Sequence, residues 1–466
     1  MRFNSKRNVC ALTTAWAASL LVACGGGGGG GGGSFPFVLP PPSGVQVATP
    51  EEPPAALQKV SAVVKGLEGK VVLQSGNGED LVIEADGTFV FPTSVSVGGA
   101  YDVKVRDQPY WQNCSILDGQ GLVNADGALV NVMCAEAKAS VSTFSGSGAN
   151  TSVDGSSSTA SFFVPVGIAV GQDGGLFVSE QSGKIRRVAV NGDVVTFAGN
   201  TSGNYTDGNG TSASFGNLIG IAIDSSGQLF AADAGWPTIR IITPAADVST
   251  FAGSAASGSA DGNGTAAEFL TPVAVAVDAT SNVYVADFQG CVVRKISPTR
   301  DVITLAGTSG TCGFADGSGG AALLNHPFGI AVNAAGDIFL ADTANNRIRR
   351  ITPAGVTTTF AGSGVAGSTD GDADVASFNA PAGLAFDARG NLYVADVSNN
   401  VIRKITPAGK VSTVAGSAGM QGATNGVGAA ATFNHPFALA IAADGAIYVA
   451  ENGNSLIRKI SPFQDP

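Results

Sequence analysis

Gly329-Ile-Ala-Val332, a turn at Ala335-Gly336, Ile338-Phe-Leu-Ala-Asp342, a turn at Ala344-Asn345-Asn346, Arg347-Ile-Arg-Arg-Ile351, Pro353-Ala354-Gly355 and Val356-Thr-Thr-Thr-Phe-Ala-Gly362 follow one another in the chain. Four short apolar or β-branched runs separated by turn residues read as four antiparallel strands. The unit recurs. The acid ending its second run falls at Glu180, Asp233, Asp287, Asp342, Asp396 and Glu451, one about every 54 residues. Four-stranded sheets repeated around an axis leave few exposed edges, so this pattern predicts an all-β, six-bladed β-propeller over residues 139–466. The last unit stops at Arg458-Lys-Ile-Ser-Pro462 without its fourth run, while a matching run, Val141-Ser-Thr-Phe-Ser-Gly146, precedes the first unit. That N-terminal strand is expected to complete the last blade.

Composition fits many short strands joined by tight turns. Glycine accounts for 65 of 466 residues, only 13% are charged, and 44% are hydrophobic. A net charge of -11 repels phosphate backbones and argues against a nucleic-acid partner. Residues 1–24 read as a targeting segment: Arg2, Lys6 and Arg7, an apolar stretch, then Leu21-Val-Ala-Cys24, which resembles the bacterial lipobox. Cys24 is then the lipidation site. The glycines of 25–33 and the prolines after them make 25–54 a tether, so the protein is expected to be lipid-anchored in a bacterial cell envelope.

Residues 57–137 read as a small β-sandwich of immunoglobulin-like type. Its runs are Val60–Val64, Lys70–Leu73, Leu81–Glu84, Thr88–Phe91, Tyr101–Val105 and Ala128–Met133, with hairpin signals at Asn77-Gly78, Asp86-Gly87 and Asp126-Gly127. Beyond Cys10 and Cys24, four cysteines form two local pairs, Cys114 with Cys134 and Cys291 with Cys312. In an exported protein these read as disulfides. A metal site or catalytic thiol is the weaker reading, since no Cys-x-x-Cys or neighbouring His accompanies them in the chain.

The strings Phe433-Asn-His-Pro-Phe437, Asn345-Asn-Arg-Ile-Arg349 and Thr352-Pro-Ala-Gly355, with the Val-Ala-Asp strand, resemble the NHL-repeat family over about residues 141–462. The resemblance implies the propeller and leaves the activity open, because that family spans sensors, binding modules and lyases.

The repeated acids have a structural reading. Asp233, Asp287, Asp342 and Asp396 stand seven residues before Arg240, Arg294, Arg349 and Arg403, placed to accept turn N–H groups or to pair with those guanidinium groups. A second set, at Asp154, Asp207, Asp261, Asp316 and Asp370 with Asn425 as the sixth copy, precedes glycine. Turn chemistry explains it, with Ca²⁺ binding as the alternative, best supported at Asp370, Asp372 and Asp374. No catalytic constellation appears. His326 and His435 occupy equivalent places, where a lyase-type zinc site would want about three histidines.

Departures from the repeat carry the functional expectation. Where other units have Thr343-Ala-Asn-Asn346 or Val397-Ser-Asn-Asn400, the second has Ala234-Gly-Trp-Pro237 and the third Phe288-Gln-Gly-Cys291. Tyr205, Trp236 and Phe288, with His326 and His435, are expected to form a ligand-binding face. The reading is a binding or scaffold protein for a protein, peptide or glycan. The alternative is a metal-dependent propeller enzyme, a lyase or a gluconolactonase-like hydrolase.

Overall fold

The computed structural model describes residues 55–463. The expected targeting segment 1–24 with Cys24, and the tether 25–54, lie outside the described residues. The chain is all-β: strands and three-residue 3₁₀ turns make up its regular structure.

Leu57–Glu136 contribute eight strands in two four-stranded sheets. One contains Leu57–Lys65 at its centre, antiparallel to Gly87–Ser96 and parallel to Ala128–Glu136, with Gln112–Leu117 on the far edge. Val60, Val64, Leu73, Ile83, Phe91, Val103, Val130 and Val132 fill the core between the two. Gln112–Leu117 and Gln120–Leu122 are two strands more than the six read from the sequence. The first is half polar; it lies antiparallel to Ala128–Glu136, and there Cys114 and Cys134 stand directly opposite in register and are bonded.

Six further sheets follow, and in the first five the four main strands lie in chain order. The fourth of them contains Ile330–Val332, Ile338–Asp342, Arg347–Ile351 and Val356–Ala361, with the two-residue strand Gly317–Ser318 outside. In the sixth, Pro436–Ile441, Ile447–Glu451 and Leu456–Pro462 are joined by Ala139–Ser145, whose Thr143 and Val141 pair with Arg458 and Ile460. First strands of successive sheets touch, and that of the sixth touches Pro165–Val170 of the first, which makes the contacts cyclic. The crowding explains the small residues there. A Cβ on Gly329 would lie 1.8 Å from Ala382 O, and one on Gly383 2.7 Å from Ala438 Cα.

The first strands enclose an axial cavity of about 320 Å³. Where those strands begin, Val166, Ile219 and Val273 pack with Phe328 and Phe437. The last two rings meet at 4.8 Å although their sheets, the fourth and sixth, are not neighbours in the cycle. The earlier unit sits on the opposite side. Trp111 Nε1 donates to Gly445 O at 3.0 Å, and Glu136 pairs with Lys404.

Candidate functional site

Acids of the two repeated sets converge on one arginine in the first, second, fourth and fifth sheets. Arg186, Arg240, Arg294, Arg349, Arg403 and Arg458 are fully buried. Arg349 shows the pattern: Nη1 donates to Asp342 Oδ2 at 2.8 Å and Leu323 O at 3.1 Å, while Nη2 donates to Asp316 Oδ1 at 2.6 Å and Ala315 O at 2.9 Å. The face of Phe314 lies 4.9 Å from that guanidinium. A buried charge needs such a cage, because desolvation of an unpaired one costs several kcal/mol. Asp154, Asp207, Asp261 and Asp370 serve the same way in their sheets, so these carboxylates face guanidinium groups. Asp287 differs: it accepts from the backbone of Leu270, Thr271 and Gly290. Burial pushes the carboxyls of Asp287, Asp342 and Glu451 above their usual range, and that of Asp396 to about 6.

The aromatic and histidine residues share the face where the first strands begin, since Pro436 pairs with Glu451 and Pro272 with Asp287 at the end of each second strand. They form two groups there. Tyr205 and Trp236 are one pair, with ring centroids 6.1 Å apart. Tyr205 is held firmly: its hydroxyl bonds Thr250 and its ring stacks 4.7 Å from Arg240. Trp236 donates from Nε1 to Gly203 O at 3.2 Å and lies against Gly216, yet the residue is 39% exposed. Phe288 and His326 are the second group, at 4.7 Å, and Phe328 lies 6.1 Å from Phe288. Phe328 and Phe437 thus extend the second group to the axis. The signal for both in the sequence is that they follow the two histidines at the same His-Pro-Phe step.

His435 is held by Asn434 Oδ1 at Nδ1 and by Asn400 Oδ1 at its backbone N–H. That second contact explains the turn sequences. Asn346 and Asn400 sit in the left-handed region at φ 52° and 56°, a conformation asparagine tolerates, and each amide oxygen caps the next sheet: Ala380 N for the first, His435 N for the second. In the third sheet the same position is Cys291, at φ 53°. A sulfur therefore faces the corner that leads to His326. Cys291 is bonded to Cys312, and the two sulfurs and a ring nitrogen of His326 all lie within 4.8 Å of one another. The histidine that the chain order does not place near this pair is supplied by the fold.

Among the described residues, the lining of the axial cavity consists of apolar side chains and glycines and carries no ionisable group. Residues 324–351 match the NHL repeat family. The chloroplastic protein SUPPRESSOR OF QUENCHING 1 of Arabidopsis thaliana is 43% identical over 93 residues, 19% of this chain, and the matched stretch spans 9% of that protein's length. A structure of a Bacteroides thetaiotaomicron protein of unknown function is similar at TM-score 0.57 and 20% identity, covering 89% of this chain and 99% of that one. An auxiliary nutrient binding protein from Bacteroides thetaiotaomicron gives 0.54 and 15%, over 87% and 97%. Another, from Bacteroides ovatus, gives 0.54 and 17%, over 89% and 100%. At these identities the likeness is one of fold: an all-β chain of several sheets, propeller-like, with an NHL repeat within it.

Proposed function

We propose that the chain is a six-bladed β-propeller behind a small immunoglobulin-like sandwich, lipid-anchored through Cys24 in a bacterial envelope, and that it binds a peptide or glycan on the aromatic face. The cyclic contacts of the six first strands and the pairing of Ala139–Ser145 with the last sheet support the propeller. Two proteins alike in fold are described as auxiliary nutrient binding proteins, which suits a holder of ligands. The observation that carries the binding reading is Trp236: an indole fixed at its nitrogen and along one side, with the remainder left to solvent. Such a ring gives contact area at little cost in conformational entropy.

The test pairs affinity with stability. A glycan and peptide array probed with the chain from residue 55 onward supplies the ligand. Trp236→Ala should then lose ~2 kcal/mol of affinity, roughly 30-fold, with melting nearly unchanged. Full affinity with a large fall in melting temperature would assign Trp236 to covering the inter-sheet loop instead. Cys24→Ser should move the full chain out of the membrane fraction, because the tether then carries no acyl chain. Unchanged fractionation would refute the anchor.

A further inference from the structure

We propose that the Cys291–Cys312 disulfide masks a metal site: once it is reduced, the two thiolates and the His326 imidazole hold one thiophilic ion of the Zn²⁺ type. The site shares His326 with the binding face but does not depend on a ligand binding there.

Three observations build it. The candidate ligand atoms already lie within 4.8 Å of one another. Tetrahedral zinc, with Zn–S about 2.3 Å and Zn–N about 2.0 Å, spaces its ligand atoms about 3.5 to 3.8 Å apart. Opening the S–S bond lets the sulfurs part toward that distance, and the Cys291 and Cys312 Cα atoms, 5.3 Å apart, need not move far. The histidine makes a hydrogen bond that fixes a tautomer suited to a metal ligand. Its Nδ1 bonds Asn325 Oδ1 at 2.8 Å; that oxygen only accepts, so Nδ1 carries the proton and Nε2 keeps its lone pair. The surroundings are asymmetric. Cys291 is fully buried beneath half-buried Phe288, while Cys312 is exposed, so a reductant reaches one sulfur and the metal keeps one side open to water. Two thiolates, one imidazole and one water complete four-coordination.

The other disulfide provides the contrast. Cys114 and Cys134 are a buried cross-strand pair within a sheet, with neither histidine in reach of it among the metal-capable groups. In the redox step a dithiol attacks Cys312 Sγ and forms a mixed disulfide. Its second thiol then displaces the protein sulfur, leaving an oxidised dithiol and two protein thiols. Zn²⁺ binding releases both thiol protons to water.

The experiment uses the full chain, reduced with a dithiol and desalted anaerobically, with Zn²⁺ as titrant and Co²⁺ as its spectroscopic stand-in. One equivalent should bind, and Co²⁺ should show thiolate-to-metal charge transfer with tetrahedral visible bands. His326→Ala should weaken binding at least tenfold, whereas His435→Ala, the equivalent residue two sheets on, should leave it unchanged. The oxidised chain and the Cys291→Ser/Cys312→Ser variant should take up no ion at that affinity. Equal uptake by either, an unweakened His326→Ala, or loss of the cooperative melt on reduction would each overturn the proposal.

Discussion

The fourth and sixth sheets open on the same residues, Asn325-His-Pro-Phe328 and Asn434-His-Pro-Phe437, and fold them alike. Both histidines sit at positive φ, 48° and 51°, and both bond the preceding asparagine through Nδ1. Both asparagine N–H groups donate to the acid ending the second strand, Asp342 at 2.7 Å and Glu451 at 2.8 Å. The neighbours differ. His435 follows a sheet whose turn ends in Asn400 and receives an amide oxygen; His326 follows one whose turn ends in Cys291 and receives a disulfide and Phe288. The repeat sets the backbone of each corner, and the preceding unit sets its chemistry.

The most damaging way to break that equivalence is through the strands. The fourth sheet is continuous in sequence, whereas the sixth borrows Ala139–Ser145 from the far end of the chain. Deleting that strand from the chain exposes a sheet edge and the apolar side of the last sheet. We expect aggregation or loss of the cooperative melt, read by size exclusion and calorimetry. A melt within a few degrees of the parent would show that the sixth sheet closes without it.

The next largest effect separates Gly329 from Ala438, its counterpart. A methyl on Gly329 meets Ala382 O head-on, so Gly329→Ala should cost ~2–4 kcal/mol in denaturant unfolding, as overpacking against backbone does. Ala438→Gly removes one methyl and should cost ~1 kcal/mol or less. Equal costs would mean that the first strands separate readily.

Strand order, turn chemistry and the displaced strand are legible in the sequence because each is written within one unit or at a fixed period. The departures at Trp236 and Cys291 are legible for the same reason. What the period does not encode is contact between units. Phe328 and Phe437 meet across the axis, and His326 meets a disulfide anchored in the preceding sheet. The cage around Arg349 joins acids from a loop and a strand that look unrelated when read along the chain. In the N-terminal unit, Gln112–Leu117 escapes notice because its inward positions are Gln112, Cys114 and Ile116, of which only one is aliphatic.

The buried acids extend the comparison to pH. Burial raises Asp342 and Glu451, and the equivalent Asp396 of the fifth sheet reaches about 6 from 3.8. A raised carboxyl binds its proton more tightly folded than unfolded. Its stabilising contribution is therefore full below about 4 and lost as pH rises through about 6. Asp396→Asn should remove that decline, so the parent's advantage over the variant shrinks between pH 4 and pH 6 in chemical denaturation. An advantage that grows across this window would mean that Arg403 dominates over burial.

The smallest expected effect lies at the outer partner of the buried arginine. Arg349 has two carboxylates, Asp342 and Asp316, whereas Arg458 has Glu451 and, in place of the second, the amide of Asn425 at 2.8 Å. The geometry is conserved while the charge is not. Asp316 is 51% exposed, so water screens its pairing even though the arginine is buried. Asp316→Asn keeps a hydrogen-bond acceptor for Nη2 and should cost only ~0.5 kcal/mol in denaturant unfolding. Asn425→Asp, the reverse change in the sixth sheet, should gain a similar amount, and high salt should erase both differences. Asp316→Ala removes the acceptor itself and leaves Nη2 with Ala315 O, so it should cost more than the amide does. If asparagine and alanine cost the same at position 316, the outer acid contributes charge rather than a hydrogen bond, and the sixth sheet's asparagine is a weaker cage.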